Sequence, residues 1–72
     1  MKLSDLKKGN KGIVQELDNH ELSNRLLDMG FYEGQNVKVL FFSPFGDPIS
    51  VQVGDTMVSI RKKEAELIIL ED

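Results

Sequence analysis

The stretch RLLDMGFYEG, from Arg25 to Gly34, constrains this chain more than any other. A run with helical spacing stops at one glycine, two aromatic residues follow, and a second glycine precedes a run with strand spacing. Gly30 has the properties of a helix terminator, because the left-handed conformation that closes a helix penalises any residue carrying a Cβ. Phe31 then stands where it can fold back on Leu26, the apolar contact of a Schellman stop. Glu33 and Gly34 supply a second reversal, with Gly34 at a second positive φ.

The spacing upstream predicts a helix over about residues 19–29. With Asp18 as N-cap, Glu21 falls three residues on as the reciprocal acid of a capping box, and Leu17 and Leu22 take the positions of a hydrophobic staple. Leu22, Leu26 and Met29 recur on one face and define its buried side.

Everything else reads as short strands. Lys11 to Leu17 alternates after a loop punctuated by Gly9 and Gly12; Val37, Ile49 and Thr56 each open a further strand, and ELIIL closes the chain. Pro44 and Gly46-Asp47-Pro48 separate the second and third strands, and Gly54-Asp55 is a two-residue hairpin turn. KKEAE at Lys62 to Glu66 has room for one helical turn. About five strands with one helix after the first describe a mainly β fold, a small and partly open barrel whose closure removes exposed edges.

Composition narrows the function. The 72 residues amount to one domain, residues 1–72, and 40% hydrophobic content with a net charge of −3 places the chain among folded proteins. It has no cysteine, which excludes disulfides and thiolate metal sites. No basic stripe is available for nucleic acid, and no window has the roughly 20 apolar residues of a membrane span or the layout of a secretory signal. A cytoplasmic protein with no direct membrane insertion is the expectation.

The residues offer little catalysis. No serine stands at a suggestive spacing from the single histidine, and GNKG and GDP lack the length and lysine-serine ending of a phosphate loop. His20 and Glu21 in the run DNHE are weak candidate ligands for Fe(II) or an adventitious divalent metal. Capping by Asp18 and Glu21 competes with that role, and neither metal nor cofactor is expected. Arg25 and Arg61 are the only cations of the type inserted into a partner's nucleotide site. Packing of each stem on the barrel, and pairing with an acid such as Asp28 or Glu64, is the simpler reading.

The apolar surface is more informative. With Val37, Val39 and Phe41 directed inward, alternation sends Leu40 and Phe42 outward. Phe45 falls at the tip of a turn between Pro44 and Pro48. Leu40, Phe42 and Phe45 then form an apolar patch of the kind that binds partners, unless the helix covers it through Leu22, Leu26 and Met29.

The early leucines with Gly9, Gly12 and Ile13, the RLLDMGF segment with Gly34, the SPFGDPISVQV stretch and VSIRKKEAELI together resemble the FeoA family. Glu33 stands where many relatives have proline, and Ile60-Arg61 where they have a leucine-arginine pair. The resemblance implies an SH3-like β-barrel with an inserted helix, like the C-terminal domain of metalloregulators related to the diphtheria toxin regulator. It also implies an accessory role in bacterial ferrous-iron uptake. The partner would be the cytosolic, GTP-binding part of the FeoB transporter, reached in the cytoplasm at the inner face of the membrane. A weak homo-oligomer is compatible with this. The expected contact residues are Arg25, Leu40, Phe42, Pro44, Phe45 and Asp47, with Gly30, Gly34 and Gly54 as structural turns. A free-standing metalloregulator-type domain, dimerising or binding partners in metal-dependent transcription, is the alternative, weakened by the absence of a recognition helix.

Overall fold

A computed structural model describes residues 1–18 and 21–72. Five antiparallel strands form one sheet in the order β4-β3-β2-β1-β5: β1 is Lys11–Leu17, β2 Asn36–Phe42, β3 Ile49–Val53, β4 Thr56–Ile60 and β5 Ile68–Leu70. Helix α1, Ser23–Asp28, follows β1, and a short helix α2, Lys62–Ala65, precedes β5. The fold is the mainly β, SH3-like arrangement the sequence predicts.

The core lies on one face of the curved sheet. Strand β3 reads buried, half-buried, buried, exposed, buried, so that Ile49, Val51 and Val53 point inward while Gln52 meets solvent. Val14, Val37, Val39 and Ile60 join them, and Leu26 and Phe31 are the contributions of the helix and its exit. Leu3 and Leu6, beside a 3₁₀ turn at Leu3–Asp5, are also buried, a contribution of the N-terminal segment that its lysine-rich sequence did not disclose.

The stop after α1 matches the expectation at each hydrogen bond. Gly30 N–H donates to Leu27 O at 3.0 Å and Phe31 N–H to Leu26 O at 3.1 Å, the two bonds of a Schellman motif, with Gly30 at φ +107°. Gly34 follows at φ +88° and Gly54 turns the β3–β4 hairpin at φ +57°, so all three turn glycines stand at positive φ.

Two expectations are corrected. Among the described residues the regular helix is Ser23–Asp28, with Leu22 and not Asp18 at its N-cap, and residues 19 and 20 of the expected span lie outside the described residues. Asp18 N–H donates to Leu67 O at 2.7 Å just beyond the β1–β5 pairing, and the Ser23 hydroxyl donates to Asp18 O at 2.7 Å. Next, the β2–β3 register shifts between Val39 and Phe41. This bulge at Leu40 reverses the alternation, so that Phe41 lies opposite Ser50 on the outer face instead of pointing inward, while Phe42 lies opposite the buried Ile49. The barrel is partly open, as expected, with β4 and β5 the two ends of its sheet. One is covered, because Lys2 bridges to Ile69 and Leu70 N–H donates to Met1 O at 2.7 Å.

Candidate partner-binding site

The β2–β3 connection is a tight, internally bonded turn. Gly46 N–H donates to Ser43 O at 2.7 Å, closing a turn with Pro44 and Phe45 at its centre, and Ser43 N–H donates to Pro48 O at 3.1 Å. Pro44 sits where its ring fixes the first corner. Phe45 takes the second corner and is 97% exposed, a phenyl ring held away from the core by a constrained backbone. Phe41 and Phe42, at the end of β2, are 46% and 38% exposed. Leu40, at the bulge, is half-buried. An apolar run from the bulge to the turn tip therefore meets solvent, with Phe41 added to the residues expected there. Helix α1 directs Leu26 into the core and leaves Phe45 uncovered.

Asp47 fastens this turn to the rest of the domain. Its Oδ1 accepts from Lys62 N–H at 3.0 Å, at the first residue of α2. An arginine precedes that helix, so no adjacent side-chain oxygen is available to cap it, and an acid from elsewhere in the chain fills the place. The missing cap before KKEA is the sequence signal for this anchor. Within α2, Glu64 Oε1 accepts from Arg61 N–H at 2.9 Å. The other oxygen, Oε2, is buried without a hydrogen bond, and Arg25 Nη1 stands 3.6 Å from it.

Arg25 and the phenylalanine turn are thus both tied to α2. Arg25 reaches it through Glu64 and the turn reaches it through Asp47. The Arg25 side chain is 65% exposed and that of Glu64 only 5%, so one end of the pair faces solvent and the other the interior. Of the two acids considered for Arg25, Glu64 is the one it meets. Arg61, by contrast, has no ion-pair partner among the described residues.

His20 lies outside the described residues, and Glu21 is exposed in the turn before α1. Among the described residues no three histidine, cysteine or acidic side chains converge as a metal site would require. No described helix is long and apolar enough to cross a membrane.

The chain is a small SH3-like β domain that displays an exposed aromatic turn and an exposed arginine. The FeoA domain family model matches residues 1–72, and the chain belongs to that family. It is 39% identical over 69 residues to Fe(2+) transport protein A of Campylobacter jejuni, covering 94% of this chain and 93% of the relative. A Porphyromonas gingivalis protein in which Fe(2+) transport protein A is fused to the transporter FeoB is 31% identical over 72 residues, 99% of this chain and 8% of the fusion. The zinc-complexed FeoA of Stenotrophomonas maltophilia, described as a prokaryotic SH3 domain protein and considered as a ferrous iron transport activating factor, superimposes with a TM-score of 0.86 at 32% identity. That match covers 99% of this chain and 89% of the other. A manganese-dependent transcriptional repressor shares the fold at a TM-score of 0.84 and 20% identity.

Proposed function

We propose that this chain is a non-enzymatic accessory of bacterial ferrous-iron uptake, which acts in the cytoplasm by docking on the GTPase-bearing cytosolic region of a FeoB-type transporter. The observation that carries this reading is Phe45, a large apolar side chain 97% exposed at the tip of a turn closed by its own hydrogen bonds. Exposing such a ring is unfavourable for an isolated molecule and favourable for one that buries it against a partner. The identity of that partner is supported by the fused relative, in which a homologous domain and the transporter share one polypeptide. Covalent fusion raises the effective concentration of one module for another, an arrangement suited to domains that work in contact.

In this reading Phe45 enters an apolar recess on the transporter, and Phe41 and Phe42 widen the contact. Pro44 keeps the turn from losing freedom on binding, and Asp47 fixes its angle to α2. Arg25, its charge only partly engaged by Glu64, faces an acidic group on the partner. No resident metal or cofactor takes part.

Co-purification tests this. The tagged chain should retain the soluble cytosolic region of the transporter, in its nucleotide-bound or its empty form, above the level of an unrelated small β domain. Equal recovery with both baits in both nucleotide states would overturn the reading.

A further inference from the structure

The two ends of the sheet are treated differently. At β5 the N-terminal residues cover the outer edge through the Lys2–Ile69 bridge and the Leu70 to Met1 hydrogen bond. Among the described residues no segment pairs with the outer edge of β4, Thr56–Ile60, which is the other end of the strand order. Natural edge strands are normally blunted by a charge, a proline or a bulge. TMVSI has no charged residue and no proline, and its pairing with β3 is regular over all five residues.

The pairing determines which backbone groups are free. Val53 and Thr56 flank the two-residue turn and form its closing hydrogen-bonded pair, so by alternation Val58 and Ile60 also bond to β3. Met57 and Ser59 therefore aim their N–H and C=O groups away from the sheet. Both residues are exposed, and none of these four groups has a backbone hydrogen-bond partner among the described residues.

We infer that β4 is a pairing edge for a second copy of this chain, which adds its own β4 antiparallel about a two-fold axis through Val58. Charge complementarity selects this occupant and this register. With Val58 opposite Val58, Met57 opposes Ser59 and all five strand residues overlap. The same register sets Asp55, just before β4, opposite Arg61, just after it. This happens twice by symmetry, and neither residue has an ion-pair partner among the described residues of its own chain. Met57 and Ser59 then exchange four backbone hydrogen bonds across the axis. The two Val58 side chains meet at a non-hydrogen-bonded pair, where Cα atoms stand about 4.5 Å apart. Shifting the partner by one residue pairs outward-facing with inward-facing backbone groups, and shifting it by two separates the charges. The contact is small, so the dimer forms reversibly and is favoured by concentration. It uses a different surface from the phenylalanine turn and does not depend on docking there.

Sedimentation of the full 72-residue chain from micromolar to millimolar concentration, combined with amide exchange, tests the inference. The expected result is a monomer–dimer equilibrium in which exchange at Met57 and Ser59 slows as concentration rises, while Val58, already bonded to β3, is unaffected. Asp55→Lys and Arg61→Glu should each weaken the dimer about tenfold by setting like charges opposite one another, and the double variant should restore it. A monomer throughout the range would overturn the inference. So would exchange at Met57 and Ser59 that ignores concentration, or a dimer indifferent to both reversals. Protection of these two amides only on addition of the transporter's soluble region would also overturn it, by assigning the edge to a strand of that protein.

Discussion

The Arg25 guanidinium stands 3.6 Å from Glu64 Oε2, a carboxylate oxygen that is buried and accepts no hydrogen bond. One pair thereby links α1 to α2 and matches the charge of an interior acid with a cation that remains largely in solvent. Removing the arginine leaves that charge inside without compensation. The cost lies between the small value of an exposed pair and the larger one of a buried pair, about 1–2 kcal/mol. Arg25→Ala should lower the melting temperature by roughly 4–8 °C for each kcal/mol. In a Glu64→Gln background, where there is no buried charge to match, the same substitution should cost almost nothing. Equal costs in the two backgrounds would show that the pair carries no coupling.

Gly30 is the position where backbone and packing agree most closely. Its φ is +107°, and a Cβ placed there would lie 3.0 Å from Val53 Cγ1. Gly30→Val combines backbone strain of about 1–3 kcal/mol with that contact, and should loosen or unfold the domain. Gly34→Ala, at a positive φ with open space around it, should incur the strain alone and cost less. Thermal melts of the two variants in that order are expected; an unchanged melting temperature for Gly30→Val would mean that α1 does not stop there.

The Asp47 carboxylate accepts from Lys62 N–H and holds the aromatic turn against α2. Asp47→Ala should cost about 1 kcal/mol, the usual value of a lost helix cap. It should also raise amide exchange at Lys62 together with exchange at Gly46. Faster exchange at Lys62 alone would mean that the turn keeps its shape without the anchor.

Much of this architecture was legible because it is dictated locally. Gly30, Gly34 and Gly54 were recognisable since a positive φ is a property of one residue and its neighbours, and the strand positions followed from alternation within short runs. Two elements escaped for the opposite reason. Asp18 is not the N-cap of α1, and its N–H donates instead to Leu67 O from the far end of the chain. The facing of Phe41 depends on a bulge created by how β2 meets β3. Both are settled between segments that have no sequence proximity. The candidate site divides along the same line. Phe45 in its proline-flanked turn was evident, while the choice of Glu64 for Arg25 and the reach of Asp47 to α2 required the folded chain.

The run DNHE leads to a separate expectation about iron. The chain has a single histidine and no cysteine, few of the donors a divalent transition metal prefers. Anaerobic titration with ferrous iron should therefore show no stoichiometric binding. Tight binding abolished by His20→Ala would instead make the chain an iron carrier.

Phe45 bears most directly on the central claim, since a side chain 97% exposed contributes little to folding and its replacement isolates its role in contact. Calorimetric titration of the transporter's soluble cytosolic region with the chain and with Phe45→Asp compares the two at equal fold stability, which melts of both proteins establish. Docking through the turn predicts unchanged melting and at least a tenfold loss of affinity for the aspartate variant, because charge is carried into an apolar contact. Equal affinity of the two proteins would contradict it.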